Sequence, residues 1–133
     1  MESEDILRWL NGLLSLAWAV IHITVGYEAA TLASKAIGES SLVFAIYSEY
    51  FGFNAALYIF AGYEIISGTR KLLIPFTILF VWNTVLLIES HIAPAPILGK
   101  TLPIIPLVFP VLALDFLLVG STILTWWKSN VRV

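Results

Sequence analysis

The chain has 133 residues, of which 59% are hydrophobic and 12% charged, and its formal net charge is −2. A soluble domain has about 45–50% apolar and about 25% charged residues, so this composition indicates a membrane protein. The few basic residues are scattered, which excludes a nucleic-acid-binding surface. The chain has no cysteine, which excludes disulfides, thiolate nucleophiles and iron–sulfur clusters.

Four apolar runs are long enough to cross about 30 Å of hydrocarbon as helices. The sequence predicts these helices at 9–34, 41–67, 71–91 and 104–127. Short connections join antiparallel neighbours, and backbone polar groups in lipid must bond within each helix. We therefore predict an all-α, four-helix up-down bundle that forms one integral membrane domain over residues 1–133.

The ends of the first two helices carry turn signals. The N-terminal stretch MESEDILRWL is acidic where a signal peptide would be basic, so the first helix is expected to stay in the protein. Gly38 is expected to end that helix, and Ser40 or Ser41 to cap the next one. Gly68 is expected to release the chain from the second helix.

The connection before the fourth helix is rich in proline. The stretch APAPILGKTLPIIP contains four of the six prolines, so it should form an extended loop that lies on the membrane or dips into it. The fourth helix is expected to start near Pro106 or Pro110, and a kink at Pro110 is expected if it starts as early as Ile104.

The distribution of Lys and Arg predicts the orientation. Five basic residues fall on one side and two on the other, so both termini are expected in the cytoplasm of a multi-pass plasma-membrane protein. The larger group is Arg8, Arg70, Lys71, Lys128 and Arg132, and the smaller is Lys35 and Lys100. Three tryptophans are expected at the cytoplasmic interface, namely Trp9, Trp126 and Trp127.

One polar residue lies near the centre of each predicted helix: His22, Asn54, Asn83 and Asp115. An aspartate at a helix centre costs about 2.5–3.5 kcal/mol on insertion scales, so Asp115 must face the interior and find a partner or a proton. His22 is its expected partner. Two interpretations stay open: the four residues hold the helices together by hydrogen bonds, or His22 and Asp115 form a ligand-binding or proton-accepting pair.

Three glutamates form a second layer, roughly 7–12 Å outward from the centres by the rise of a helix. Glu28, Glu49 and Glu89, with His91, are predicted to line an acidic vestibule that leads to His22. The alternative is that these carboxylates simply reach the headgroup region. Glu64, at the other side, is expected to pair with Arg70 or Lys71.

Several cofactors were weighed, and neither haem nor quinone has a supporting motif. His22 and His91 should differ in height by roughly 13 Å, too far for one haem iron, although a haem on one histidine stays open. The ESH sequence at 89–91 has the wrong spacing for a di-metal site, and no metal site is predicted. Tyrosines of the second helix could frame a quinone or isoprenoid pocket: Tyr47, Tyr50, Tyr58 and Tyr63.

The segment AGYEIISGTRKLLIPFTILFVWNTVLLI, residues 61–88, resembles the second hairpin of the DoxX-like membrane proteins. In that hairpin a Glu-bearing apolar helix ends in a Gly-Thr-Arg turn, here Glu64 and 68–70. Arg8 and Gly12 are similar to the family's opening pattern, but the glycine and lysine that usually follow are absent. The resemblance implies a four-helix bundle, linked in some members to quinone-coupled redox complexes, and it supplies no catalytic residues.

These observations predict a small membrane protein whose buried polar cavity binds a proton, a cation or a small amphiphile. Its expected partners are the lipid bilayer and either other membrane subunits or further copies of itself. Two alternatives stay open: a subunit that acts on quinone or an isoprenoid, with His22 and Asp115 or Glu49 as acid and base, and a purely structural subunit. Whether the protein is an enzyme is therefore left open.

Overall fold

The computed structural model describes residues 3–131, which form four helices: α1 (Ser3–Lys35), α2 (Glu39–Ile66), α3 (Leu73–Ile92) and α4 (Val108–Val131). The predicted all-α fold is confirmed, and all four helices are long and apolar enough to span a membrane. The start of α1, the end of α4 and the turn 67–72 form the termini end of the bundle. The connections 36–38 and 93–107 form the loop end. Arg132, one of the basic residues counted above, lies outside the described residues.

Helix α1 begins at Ser3, six residues before the apolar run that predicted it. Glu4 and Asp5 lie in its first turn, where carboxylates interact favourably with the helix dipole. The Arg8 guanidinium donates to the Asp5 carboxylate at 2.7 Å and ties this turn together. Charged residues therefore extend the helix beyond its hydrophobic part.

The α2–α3 turn forms around Gly68, as predicted. Gly68 has a φ of 85°, a left-handed conformation that costs glycine little. The Thr69 amide donates to the Glu64 carbonyl at 3.0 Å and the Gly68 amide donates to the Ile65 carbonyl at 3.1 Å. This is the Schellman pattern that satisfies the last carbonyls of a helix.

The expected serine cap of α2 is wrong. The residue that precedes α2 is Gly38, and no side chain caps the first turn of the helix. The Ser41 hydroxyl instead donates to the Ala33 carbonyl at 2.8 Å, so it satisfies the last turn of α1. In a connection this short, the same serine lies close to both helix ends, and the α1 carbonyl is the group that it reaches.

Helix α4 begins at Val108, between Pro106 and Pro110 as predicted and after the start of the apolar run at 104. Pro106 disfavours a helical conformation of the residue before it, so the helix cannot run through Ile105. Pro110 lies in the first turn, where its missing N–H has no helical partner to lose. The loop 93–107 folds back over the loop end, because the Leu102 amide donates to the Ser90 carbonyl at 2.8 Å and the Tyr47 hydroxyl donates to the Pro96 carbonyl.

The closest helix pair is α1 with α2. Gly12 lies against Gly62, Ser15 donates to the Tyr58 carbonyl at 2.8 Å, and Ser48 donates to the Gly26 carbonyl at 3.0 Å. Residue numbers rise along one helix as they fall along the other, so the pair is antiparallel. The backbones of α3 and α4, and of α1 and α4, also approach closely, whereas α2 and α3 meet mainly through long side chains.

The bundle is apolar on its outside and partly polar on its inside. Each helix exposes large apolar side chains, for example Val20 at 62%, Phe53 at 66%, Ile78 at 65% and Leu117 at 62%. The buried core combines apolar residues such as Tyr58, Ile65, Phe80 and Leu118 with Asn, His, Asp and Thr. This arrangement suits a hydrocarbon surrounding, because a polar group that faced lipid would have no partner.

Replacing Gly12 by alanine should destabilise the α1–α2 contact. A Cβ at Gly12 would lie 2.9 Å from the Gly62 carbonyl oxygen and closer still to the Ile66 side chain. The backbones would have to separate, at a cost of about 1–3 kcal/mol in the free energy of unfolding. Circular dichroism during SDS titration of mixed micelles measures this loss.

Gly120→Ala is the matched control, because no atom lies within 4 Å of a Cβ built at Gly120. This substitution should leave stability unchanged or raise it by about 0.5–1 kcal/mol through helix propensity. Equal effects of the two substitutions would show that the Gly12–Gly62 contact does not hold the bundle.

Candidate functional site

The four polar residues predicted near the helix centres are all inside the bundle. His22 is 4% exposed and Asp115 1%, and Asn54 and Asn83 are also buried. Each of the four helices contributes one of them, so the expectation that they face the interior is confirmed. The hydrogen bonds, however, divide them into two groups.

The first group is a network between α2 and α3. The Asn83 amide donates to the Asn54 side-chain carbonyl at 3.0 Å and to the Leu79 backbone carbonyl at 3.0 Å. The Tyr50 hydroxyl donates to the Asn83 side-chain oxygen at 2.8 Å, and the Asn54 amide donates to the Tyr50 carbonyl at 2.8 Å. The side-chain amide of Asn83 thus makes its hydrogen bonds within the protein. This fits the interpretation of Asn54 and Asn83 as links between helices.

The second group surrounds His22, which lies among aromatic rings. Its ring centroid is 4.8 Å from that of Tyr58, 5.4 Å from that of Trp18 and 5.8 Å from that of Phe51. The His22 Nδ1, the Trp18 Nε1 and the Tyr58 hydroxyl are buried and have no hydrogen-bond partner among residues 3–131. Three buried polar atoms of one aromatic group therefore lack the hydrogen bonds that buried polar atoms usually make.

Asp115 completes this group, about two turns into α4. Both of its carboxyl oxygens are buried without a hydrogen-bond partner in the described part of the chain. The Thr84 hydroxyl lies beside the carboxyl but donates its hydrogen to the Phe80 carbonyl at 2.8 Å. The Tyr58 hydroxyl is close enough to interact with it electrostatically.

The expected direct pair of His22 with Asp115 is not formed. Within residues 3–131 neither the His22 Nδ1 nor an Asp115 oxygen has a hydrogen-bond partner, so the two do not bond through these atoms. Tyr58 contacts His22 through its ring and interacts with Asp115 through its hydroxyl. We call Trp18, His22, Tyr58 and Asp115 the central cluster.

A cavity of about 500 Å³ opens from the central cluster to the loop end. Its walls come from all four helices and from the loop 93–107, and they are mostly apolar, including Val25, Phe44, Leu87 and Val111. Polar side chains are few. The inner ones are His22, Tyr50 and Asn83, and the outer ones include Glu28 and His91.

The predicted acidic vestibule forms only in part, since Glu28 and His91 line the cavity whereas Glu49 and Glu89 do not. Of the three glutamates only Glu28 lines the cavity, while Glu49 is exposed and Glu89 is half-buried outside its lining. The reason is rotational, because depth along a helix does not determine which face a residue occupies. The four tyrosines of α2 that were predicted to frame a pocket also occupy different faces of their helix. Tyr47 and Tyr50 line the cavity, Tyr58 is buried, and Tyr63 is 66% exposed on the outside.

No group of three or more His, Asp or Glu residues within the described chain is arranged to hold a metal ion. His22 and His91 line the same cavity, but His91 lies in the last turn of α3, where its Nδ1 is 2.7 Å from the Leu87 carbonyl oxygen. The cavity thus offers a histidine near its floor and another near its mouth.

A small cavity of about 10 Å³, the size of one water molecule, lies at the termini end. Arg70 donates there to the Glu4 carboxylate at 3.3 Å and to the Ser129 carbonyl at 3.2 Å. The expected pairing of Glu64 with Arg70 or Lys71 is wrong, since Glu64 accepts a hydrogen bond from the Thr69 hydroxyl at 2.6 Å. The hydroxyl of Thr69, three residues after the end of α2, is nearer to the Glu64 carboxylate than either cation is.

Sequence reasoning missed several buried polar residues of α1 and α4. They recur every three or four residues and therefore share one helix face. They are Asn11, Ser15 and Trp18 on α1, and Thr122, Thr125 and Ser129 on α4. The Thr122 hydroxyl lies within hydrogen-bond distance of two acceptors, the Leu118 carbonyl at 2.7 Å and the Asn11 side-chain oxygen at 3.0 Å. A search for polar residues at this spacing around His22 and Asp115 would have found them.

Comparison of the chain with protein families, with curated proteins and with solved structures finds no match.

The α2–α3 network should behave as a structural link. Asn83→Leu leaves the Asn54 oxygen and the Tyr50 hydroxyl without their partner and should lower the free energy of unfolding by about 1–3 kcal/mol. The double variant Asn54→Leu/Asn83→Leu should lose less than the sum of the two single losses, because removing both partners leaves no unpaired amide. SDS titration followed by circular dichroism measures all three; additive losses would argue against the bond.

Asp115→Leu should raise the free energy of unfolding, whereas Asn83→Leu should lower it. It removes two buried oxygens that have no hydrogen-bond partner among residues 3–131, so the free energy of unfolding should rise by about 1–3 kcal/mol. The same titration provides the measurement. A loss of stability comparable to that of Asn83→Leu would mean that Asp115 is a structural residue.

Proposed function

We propose that this protein is a small multi-pass membrane protein that binds one amphiphilic molecule in the cavity of about 500 Å³ at the loop end. The observation that carries the proposal is the uneven chemistry of that cavity. Its walls are apolar, and its hydrogen-bonding side chains are confined to a few positions at the floor and the mouth. Cavities of about 300–1,000 Å³ with this division are typical of small-molecule sites.

The membrane placement is supported by the surface of the bundle. Large apolar side chains are exposed along all four helices, and most buried polar residues lie in the interior between them. The orientation with both termini in the cytoplasm, and residence in the plasma membrane, are parts of the proposal. Arg8, Arg70, Lys71 and Lys128 lie toward the termini end, whereas Lys35 and Lys100 lie toward the loop end.

An amphiphile fits the cavity better than a hydrated cation does. A divalent cation takes six or so oxygen ligands, whereas Glu28 is the one carboxylate among the described residues that line the cavity. An apolar body would lie against Val25, Leu87 and Val111. A head that donates and accepts hydrogen bonds would meet His22 at the floor.

Quinones and isoprenoids are amphiphiles of this kind. The DoxX-like resemblance of residues 61–88 stays a hypothesis, and it also favours a quinone. Glu64 and Thr69 of that segment contact each other at the termini end, where they stabilise the turn. They lie away from the cavity lining. The resemblance therefore concerns the fold, and the chemical class of the ligand is inferred from the cavity alone.

Filling the cavity should abolish binding. Val25 and Val111 line it, so the double variant Val25→Trp/Val111→Trp places two indole rings in the space of the ligand. We expect native mass spectrometry of the purified wild-type protein to detect one retained amphiphile per chain after detergent removal. The double variant should carry none.

The matched control is Val20→Trp/Val85→Trp, which makes the same exchange at two positions on the outer surface. This variant should retain the amphiphile, since its new rings face lipid. If the wild-type protein retains nothing, or if both double variants carry the same mixture of lipids, the cavity is not a binding site and a structural role becomes the better explanation.

A further inference from the structure

The buried polar side-chain atoms that lack a partner follow one line through the bundle. Within residues 3–131 they are Arg8 Nε, Asn11 Nδ2, Trp18 Nε1, His22 Nδ1, the Tyr58 hydroxyl and both Asp115 oxygens. Four of these residues lie on α1 at spacings of three, seven and four, which keeps them on one face. Ser15 occupies the intervening turn and donates to the Tyr58 carbonyl at 2.8 Å.

This line joins the two cavities. Arg8 lines the small cavity at the termini end, together with Glu4, Thr125 and Ser129. Trp18 and His22 line the large cavity at the loop end. The polar atoms in between therefore run from one end of the bundle to its centre and open there into the cavity.

Helix α4 contributes the opposite wall. Thr122, Thr125 and Ser129 are buried at helical spacing, and Thr122 donates to Asn11 across the interface. Each turn of a helix rises about 5.4 Å, so successive polar groups lie within reach of one bridging water molecule. A polar group is thus available at nearly every turn.

Interhelical adhesion is the simpler explanation of polar residues in a bundle, and it accounts for Thr122 with Asn11. It does not account for the unpartnered atoms, because an atom without a hydrogen bond holds no helices together. Each such buried atom costs about 1–3 kcal/mol, and water is the partner that such atoms most often take.

One apolar layer interrupts the line. Leu118 lies between Asp115 and Thr122 on the inner face of α4, is fully buried, and belongs to one core cluster with the Phe80 and Tyr58 rings. The polar groups on the Thr122 side of Leu118 lie toward the termini end, and those on the Asp115 side lie toward the cavity. Leu118 is therefore the position at which hydration of the line is most restricted.

We propose that this line is a proton pathway, in which protons pass from water at the termini end along the α1–α4 interface to Asp115 and then, through Tyr58 and His22, to the cavity. Protons move between water molecules and these side chains, so only O–H and N–H bonds form and break. The groups near Asp115 are Tyr58 from α2 and Thr84 from α3, and the Tyr58 ring in turn contacts His22 from α1. Of these, Tyr58 and His22 can exchange a proton.

This inference rests on the membrane placement in the proposed function but not on the identity of the amphiphile. The test uses the full chain in phosphatidylcholine–phosphatidylglycerol vesicles that contain a pH-sensitive dye. A potassium gradient with valinomycin drives protons inward. Flux should exceed that of protein-free vesicles, and Asp115→Asn should reduce it by about tenfold or more, because one link of the pathway is lost.

Three further variants make the test specific. Thr122→Val removes a hydroxyl from the line and should reduce the flux, whereas Thr77→Val removes a hydroxyl that bonds only to its own helix, at 2.7 Å from the Leu73 carbonyl, and should not. Leu118→Asn should raise the flux by making the apolar layer polar. Circular dichroism and a single symmetric gel-filtration peak identify the variants that have folded.

The proposal is overturned if neither the wild-type protein nor Leu118→Asn conducts above protein-free vesicles, or if Thr122→Val and Thr77→Val have equal effects. Native mass spectrometry on the same samples separates this result from the proposed function. A protein that retains its amphiphile but conducts no protons refutes the pathway alone. A protein that fails to insert into vesicles refutes the membrane placement on which both depend.

Discussion

The constraint on which this structure depends is that hydrocarbon provides no hydrogen-bond partner. Four helices satisfy their own backbones, so the remaining problem is the polar side chains. The bundle buries and pairs several of them: Asn54 with Asn83, Asn11 with Thr122, Ser15 with the Tyr58 carbonyl. Asp115 is also buried, and the other helices provide no hydrogen bond to its carboxyl in the described chain. A residue that is expensive to bury and unpaired within the protein is a candidate for function.

The helix pairs differ in how closely they pack, and this difference creates the cavity. Glycines at positions 12 and 62 let α1 and α2 meet backbone to backbone, which leaves no space between them. Helices α2 and α3 meet through long side chains instead, for example Tyr58 against Phe80, whose ring centroids are 4.9 Å apart. Near the loop end the space between the helices stays open, and the proline-rich loop 93–107 lies over part of it. The cavity is thus lined by all four helices and by this loop.

The two groups of polar residues serve different ends. The Tyr50–Asn54–Asn83 network is complete within the protein and resembles the polar contacts that hold membrane helices together. The central cluster is incomplete, because Trp18, His22, Tyr58 and Asp115 each have at least one buried atom without a partner among residues 3–131. A network that is satisfied stabilises, whereas one that is unsatisfied stays available for a proton, water or ligand. The two groups lie at similar depth, so position along the helix did not distinguish them.

The sequence by itself determined the four helices and their order, because hydrophobic length depends only on the order of residues. It also indicated the Gly68 turn, since that conformation is local. Only the tertiary structure decided which faces meet. It left His22 and Asp115 without a hydrogen bond between the His22 Nδ1 and the Asp115 oxygens, and it moved Glu49 and Glu89 out of the cavity lining. Rotation of a helix about its axis is set by packing against its neighbours, and an apolar run on all sides of a helix contains little information about that rotation.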